Sequence, residues 1–144
     1  MAATSQRAQA EIAGRRAERL AAFYLQLKGY VILDRRVKTG RGEVDLIVRR
    51  KDVLAFVEVK MRRRHTDPAE VLAPRQMQRI VSGATGWAAG RAWTHNFIWR
   101  YDLIMVTPWR WPQHIRDAWQ PQDDPALARR SDRDNIRPQQ QRRK

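Results

Sequence analysis

Two segments with the alternation typical of β-strands lie on either side of Lys51–Asp52, and both contain charged residues among apolar ones. The first reads GEVDLIVRR (42–50) and the second reads VLAFVEVK (53–60). Segments joined by so short a connection are expected to pair as an antiparallel hairpin. Burying an unpaired charge is costly, and even a buried ion pair adds little net stability. The charges inside these strands therefore need an explanation other than stability.

Both faces of this hairpin are rich in apolar side chains. We expect one face to carry Val44, Leu46, Val57 and Val59, and the other to carry Ile47, Leu54 and Phe56. A cross-strand ion pair on a solvated face is the usual explanation for Asp, Glu and Lys in a hairpin. A sheet with two apolar faces is instead covered on both sides, which favours a functional role for the charges.

The rest of the chain supplies helices that can cover such a sheet. An apolar stripe at helical spacing precedes the hairpin and ends before Gly29; it comprises Ala13, Ala17, Leu20, Ala21, Tyr24 and Leu27. A second stripe follows, comprising Met77, Ile80, Val81, Ala84 and Trp87. YVILDRRV (30–37) and NFIWRYDLIMVTP (96–108) read as further strands, and residues 109–119 as a short closing helix. The order helix, three strands, helix, strand predicts an α/β fold with a mixed sheet flanked by helices.

The length of 144 residues fits one domain with tails. We expect a flexible N-terminus over residues 1–10, the folded domain over 11–120, and a disordered polar and basic tail over 121–144. The chain has no cysteine, which excludes disulfides and thiolate chemistry. No apolar run is long enough to span a bilayer, and no secretory signal is evident. These features predict a soluble, cytoplasmic protein.

The formal net charge of +14 is large for this length and favours a polyanionic partner such as nucleic acid. Residues 121–144 hold seven Lys or Arg and four Asp, so most of the excess belongs to the rest of the chain. A basic peripheral membrane protein is the weaker alternative, because the basic residues do not form one amphipathic stripe.

A symmetric hairpin about Lys51–Asp52 places Asp45 opposite Glu58, and Glu58 shares a strand face with Lys60. Two converging carboxylates suit Mg²⁺ or Mn²⁺. Lys60 can then orient the attacking water or stabilise negative charge that develops on a phosphate. Glu18, at the edge of the first helical stripe, is a candidate third carboxylate. Arg62, Arg63 and Arg64 follow the lysine directly and are candidate phosphate contacts.

Two further features have more than one interpretation. The chain has six tryptophans, and two of them lie in the segment PWRWPQH (108–114). Exposed tryptophans in such a segment would suit stacking on bases of single-stranded nucleic acid. We favour the alternative that these tryptophans anchor the C-terminal segment on the sheet. Asp102 lies two residues after Arg100 on the same strand face, which favours a structural ion pair over a catalytic role.

The motifs GEVDLI and AFVEVK, preceded by AERLAAFYLQLKGY, resemble those of the PD-(D/E)XK nuclease superfamily. More closely, the chain is similar to the YraN-like family of small bacterial proteins, which is related to archaeal Holliday-junction resolvases. The resemblance runs from about Gly14 to Trp119. It implies a restriction-endonuclease-like α-β-β-β-α-β core, with Asp45, Glu58 and Glu18 as metal ligands and Lys60 as the catalytic lysine.

Two positions depart from the pattern that the resemblance implies. Arg75 stands after Pro74 where a lysine is expected, which keeps a cation for nucleic acid but changes its geometry. The "PD" element reads Val44–Asp45, which keeps the acid. We therefore expect a Mg²⁺- or Mn²⁺-dependent endonuclease acting on branched or single-stranded DNA. The alternative is a non-catalytic nucleic-acid-binding module with the same fold, and analogy with the resolvases leaves a homodimer open.

Overall fold

The computed structural model describes residues 2–121, which form a five-stranded sheet between two long helices. The elements in chain order are α1 (Ala2–Leu27), β1 (Val31–Lys38), β2 (Glu43–Arg50), β3 (Val53–Met61), α2 (Pro74–Ala88), β4 (Ile98–Val106) and β5 (Gln113–Ile115). Two short 3₁₀ turns, Pro68–Glu70 and Ala92–Asn96, flank α2. The predicted tail lies outside the described residues, apart from Pro121.

The strands lie in the sheet in the order in which they occur in the chain, β1 to β5. Strands β1, β2 and β3 form an antiparallel meander, β3 and β4 are parallel, and β5 pairs antiparallel with β4. A parallel pair needs a crossover connection, and α2 provides it between β3 and β4. The mixed α/β fold predicted from the element order is therefore confirmed.

Each face of the sheet is covered by one helix, so the hydrophobic core has two halves. The α1 half contains Ala17, Ala21, Ala22, Leu25, Tyr30, Leu46, Val48, Ala55, Val57, Ile104 and Val106. The α2 half includes Ile47, Leu54, Phe56, Ile80, Ala84, Trp87, Tyr101, Leu103 and Met105. The alternation of β3 between these halves confirms that both faces of the hairpin are buried.

The buried face of α1 is rotated relative to the predicted stripe. Its fully buried residues are Ala17, Ala21, Ala22 and Leu25, whereas Leu20 and Leu27 are exposed. The sheet accepts a close-packed row of alanines, so the larger leucines face away from it. The helix ends as predicted, because Gly29 adopts φ +90° and the amide of Tyr30 donates to the carbonyl oxygen of Leu25 at 3.0 Å.

The helix also begins earlier than the predicted domain boundary. It extends to Ala2, so residues 2–10 form its exposed first turns. The flexibility expected for residues 1–10 and the domain bounds 11–120 stay predictions. Within residues 2–121, neither long helix has the apolar composition that crossing a membrane requires.

Strands β2 and β3 separate at the open end of their hairpin, away from the turn at Lys51–Asp52. The register is the one expected, with Arg50 opposite Val53, and the last pair is Leu46 with Val57. Beyond it β2 pairs with β1 alone, and Val44 lies opposite Val37. A two-stranded ribbon twists more strongly than a sheet. Val44 accordingly packs in the α2 half of the core, and its predicted place beside Leu46 is wrong.

Two glycines allow α2 to approach the start of β2. A Cβ atom on Gly42 would lie 1.8 Å from the carbonyl oxygen of Arg79, and one on Gly83 would lie 2.8 Å from the amide nitrogen of Glu43. Real Cβ atoms do not occupy such positions. Glycine is unfavourable within a helix, but Gly83 is required where α2 crosses β2, the strand that carries Asp45.

The segment after β4 contains a strand where the sequence predicted a short helix. Residues 113–115 form β5 and pair with β4, with His114 opposite Ile104. The prediction was wrong because Pro112 prevents regular helical hydrogen bonding, while β4 would otherwise present an unpaired edge. A turn at Pro108–Arg110 reverses the chain between the two strands.

Candidate functional site

Asp45 lies where β2 and β3 separate. Its Oδ2 accepts a hydrogen bond of 2.8 Å from the backbone amide of Val59. That amide lies beyond the last β2–β3 pair, so the carboxylate takes the place of a backbone carbonyl. The divergence of the strands thus places a half-buried carboxylate between them, beside Glu58.

Asp45, Glu58 and Lys60 meet at this point. Lys60 Nζ lies 3.3 Å from Glu58 Oε1, and the side chains are 20% and 14% exposed. The carboxyl groups of Asp45 and Glu58 also lie close enough for each to shift the pKa of the other. The strand pattern alone predicted this proximity, and the structure brings the three side chains together.

The electrostatics of the two acids are those of a like-charged pair partly removed from water. Burial raises the pKa of Glu58 to about 8, with a further contribution from the neighbouring Asp45 carboxylate and an opposing one from Lys60. Burial also raises the pKa of Asp45, Glu18 adds to the rise, and the Val59 amide opposes it. The rise favours a pair that holds one proton near neutral pH, even with the Lys60 ammonium group beside it.

Glu18 faces the same region from α1 but is paired with another residue. Glu18 lies three residues before the buried Ala21 and four residues before the buried Ala22, so it is on the side of α1 that faces the sheet. Its Oε2 accepts a hydrogen bond of 2.8 Å from Arg36 Nε on β1. The helical pattern of α1 predicted Glu18 near the site but gave no sign of Arg36, because nothing in the local pattern of β1 indicates a partner on α1.

A cleft of about 370 Å³ opens between α1 and the β1–β2 ribbon. Its charged lining consists of Glu11, Arg15, Glu18, Arg36, Lys38, Glu43 and Asp45. Of the four predicted site residues, Glu18 and Asp45 line this cleft. The cations in its lining suit phosphate groups, and the acids suit a cation.

The arginines predicted to contact nucleic acid do not form one cluster with the acids. Arg62 donates to the backbone carbonyl of Met61 at 2.8 Å, while Arg63 and Arg64 are exposed in the segment that follows β3. Arg75 is exposed at the first turn of α2. Their contact with nucleic acid stays a prediction.

The donor set at Asp45 and Glu58 fits a divalent cation with water ligands. Mg²⁺ is commonly held by one or two carboxylates and keeps several waters. When both carboxyl groups are ionised they repel each other, and a cation bound between them would relieve that repulsion. Within residues 2–121, however, no three His, Cys, Asp or Glu side chains are grouped closely enough to hold a metal without other ligands.

A second buried cluster forms around Asp102, on the α1 side of β4. Asp102 is fully buried and accepts two hydrogen bonds of 2.8 Å from Arg100. It also accepts from His114 Nε2 at 2.8 Å and from the amide of Asp117 at 3.0 Å. This geometry bears out the predicted structural pair. His114 was missed as a partner because its segment was expected to be helical.

The fold and the site together define a class of protein. The order α1, β1, β2, β3, α2, β4 is that of a restriction-endonuclease-like core, with β5 added at one edge. The family model of the Uncharacterised protein family UPF0102 matches residues 17–106. The chain belongs to this family, the YraN-like family that the sequence motifs indicated.

Curated relatives cover most of the chain. A UPF0102 protein of Maricaulis maris is 48% identical over 120 residues, which are 83% of this chain and 94% of the relative. A UPF0102 protein of Paramagnetospirillum magneticum is 48% identical over 110 residues, 74% of this chain and 85% of the relative. One from Parvibaculum lavamentivorans is 44% identical over 108 residues, 75% and 81% respectively. The names of these relatives state the family and state no activity.

Proposed function

We propose that this protein is a Mg²⁺- or Mn²⁺-dependent nuclease that hydrolyses phosphodiester bonds in DNA. The observation that carries the proposal is the meeting of the Asp45 and Glu58 carboxyl groups with the Lys60 ammonium group, where two core strands separate. Such a trio is costly to bury and contributes little to stability, so chemistry is the better explanation for it.

In this proposal Asp45 and Glu58 hold the metal ion, and Glu18 is an auxiliary acid. When bound, the metal supplies a Lewis acid and lowers the pKa of a coordinated water. Lys60 keeps a positive charge beside Glu58 and stabilises negative charge that develops on the phosphate. The Val59 amide holds Asp45 in place, so that one oxygen of its carboxylate stays oriented by the strand.

The cleft that Asp45 lines also presents cations. Arg15, Arg36 and Lys38 line it together with the acids, and the chain as a whole carries a net charge of +14. An acidic centre within a basic surface is what a metal-dependent phosphodiesterase needs, because the metal and the phosphates require opposite charges. A location in the cytoplasm and a homodimer are further expectations of this proposal.

The decisive experiment is a cleavage assay on single-stranded, branched and duplex DNA with Mg²⁺, Mn²⁺ or EDTA. Asp45→Ala, Glu58→Ala and Lys60→Ala should each lower cleavage at least 100-fold, while wild-type protein cleaves only with added metal. Matched controls are Asp52→Ala, Glu70→Ala and Lys51→Ala, which remove the same charges from exposed positions. Equal cleavage by the Glu58→Ala variant and wild type would assign the activity to a contaminant.

The second candidate is a nucleic-acid-binding module without catalysis. It is favoured by one observation, that Glu18 is engaged by Arg36. This candidate predicts salt-sensitive binding that is independent of metal. It also predicts that no DNA structure is cleaved and that Glu58→Ala binds as well as wild type.

A further inference from the structure

The turn between β4 and β5 presents two tryptophans to solvent. Trp109 is 101% exposed and Trp111 is 77% exposed, with the exposed Arg110 between them. Their expected role as anchors on the sheet is therefore wrong. Trp87 and Trp119 are buried in the α2 half of the core and Trp99 packs against it. The core uses those three rings and leaves most of the surface of Trp109 and Trp111 exposed.

The backbone of this turn holds Trp109 outward. Trp109 adopts φ +63°, a left-handed conformation that is unfavourable for a bulky side chain. The amide of Arg110 donates to the carbonyl oxygen of Thr107 at 3.3 Å, which closes the turn. Such strained positions persist where the surrounding structure enforces them, and they cluster at ligand-binding sites.

Aromatic and cationic groups continue from the turn onto α1. The ring of Trp111 lies 6.4 Å from that of Tyr24, and Lys28 Nζ lies 5.3 Å from the centre of the Tyr24 ring. Lys28 Nζ is also 2.6 Å from His114 Nδ1, whose other nitrogen contacts the buried Asp102. A buried carboxylate and an imidazole thus hold the lysine beside the aromatic rings.

The turn that carries Trp109 follows the end of β4, and Lys60 of the proposed catalytic centre lies near the same end of the neighbouring strand β3. In the parallel β3–β4 pair, Lys60 is opposite Met105. Trp109 is four residues further along the chain, a span of at most roughly 13 Å. That span corresponds to about four nucleotide steps of a stacked strand. One nucleic acid strand can therefore reach both places.

We infer that Trp109, Arg110 and Trp111, together with Tyr24 and Lys28, form a docking surface for unpaired bases of the nucleic acid that is cleaved. The inference rests on the proposed function and deepens it, since it selects single-stranded or branched substrates over continuous duplex. Indole faces stack on any base, and the interleaved cations contact the adjoining phosphates. A continuous duplex keeps its bases stacked on one another and offers phosphates alone.

Binding in EDTA separates this surface from catalysis. Fluorescence anisotropy would compare a labelled 20-nucleotide thymidine strand with a 20-base-pair duplex. Because stacking on an aromatic side chain strengthens the binding of each base, Trp109→Ala/Trp111→Ala should weaken strand binding at least tenfold and duplex binding less than about twofold. Trp109→Phe/Trp111→Phe retains aromatic faces and should stay within about threefold of wild type. Phe23→Ala, which removes an exposed ring from α1, is the matched control.

Three results would overturn the inference. They are unchanged strand binding by the double alanine variant, an equal loss for strand and duplex, or tryptophan-dependent binding to phosphatidylglycerol vesicles without tryptophan-dependent binding to the strand. Because both side chains are exposed, the variant should unfold at the wild-type temperature, which a thermal scan checks. Tryptophan-dependent binding without metal-dependent cleavage would reject the catalytic proposal and keep the docking surface. Metal-dependent cleavage that is unchanged by the substitutions of Trp109 and Trp111 would keep the catalytic proposal and reject the docking surface.

Discussion

Asp45 and Glu58 bring their carboxyl groups together at the point where β2 and β3 separate, close enough for each to shift the pKa of the other. The Val59 amide holds the first acid and the Lys60 ammonium group lies beside the second. The arrangement stores an unfavourable interaction within the folded domain, and its energetic consequences are measurable without a substrate.

The first prediction concerns pH and stability. Because the pKa of Glu58 is about 8 in the folded protein and ordinarily 4.5, the folded state binds more protons than the unfolded state between these values. Stability should therefore fall as pH rises from 4.5 to 8. Glu58→Gln removes most of this dependence and should be more stable than wild type by roughly 3–4 kcal/mol at pH 7–8. Urea unfolding from pH 4 to pH 9 measures the difference.

Glu70→Gln is the control for that series, since Glu70 is exposed in a 3₁₀ turn. Its stability should follow wild type at every pH. A Glu58→Gln variant that is no more stable than wild type at pH 8 would contradict the electrostatic account of the pair.

The second prediction concerns metal binding. Mn²⁺ should raise the thermal unfolding midpoint of wild type at pH 8, because the cation relieves repulsion between Asp45 and Glu58. A ligand at 100 times its Kd stabilises by about 2.7 kcal/mol. The effect should shrink toward pH 6, where protons compete for Glu58, and it should vanish in Asp45→Asn. If the rise of the unfolding midpoint with Mn²⁺ persists in Asp45→Asn and is lost in Glu70→Gln, the metal binds near Glu70 and not between Asp45 and Glu58.

The third prediction concerns the buried cluster at Asp102. Burial alone would raise the pKa of Asp102, but hydrogen bonds from His114 and Arg100 outweigh it and lower the pKa. The ionised form therefore stabilises the fold above about pH 4, and this contribution is lost as pH falls further. Asp102→Ala leaves Arg100 without its buried partner and should cost about 3–5 kcal/mol at pH 7.

Urea unfolding of Asp102→Ala tests that cost. Glu11→Ala is the comparison, because the Glu11–Arg15 pair is exposed and exposed pairs contribute at most about 1 kcal/mol. A loss below about 1 kcal/mol in Asp102→Ala would show that the cluster does not hold β4, β5 and the loop after them together.

The fourth prediction concerns the contact between α2 and β2. Gly42→Ala would place a methyl group 1.8 Å from the carbonyl oxygen of Arg79, so the helix must move and stability should fall by about 3 kcal/mol or more. Gly14→Ala meets no atom within 4 Å and lies within α1, where alanine is favoured by about 1 kcal/mol. Thermal unfolding should therefore shift in opposite directions for the two variants.

A small effect of Gly42→Ala on unfolding would contradict the close approach. If the helix moves but the fold persists, Asp45 should lose its position beside Glu58. Such a variant would then show a weaker dependence of stability on pH between 4.5 and 8 than wild type.

The sequence by itself determined the α/β class, the hairpin register and the meeting of Asp45, Glu58 and Lys60. These features follow from two periodicities, because alternation along a strand and a short connection leave little freedom in pairing. The Arg100–Asp102 pair was equally local, since both residues lie on one strand face.

Only the tertiary structure decided which face of α1 is buried, where Val44 packs and what partner Glu18 has. Each depends on contacts between segments distant in the chain, such as the twist of the β1–β2 ribbon and the ion pair with Arg36. The exposure of Trp109 and Trp111 is of the same kind. Aromatic residues near a strand are usually buried, and the formation of β5 turned these two outward. Local patterns define which residues can share a face, whereas the packing of distant elements decides which of them meet.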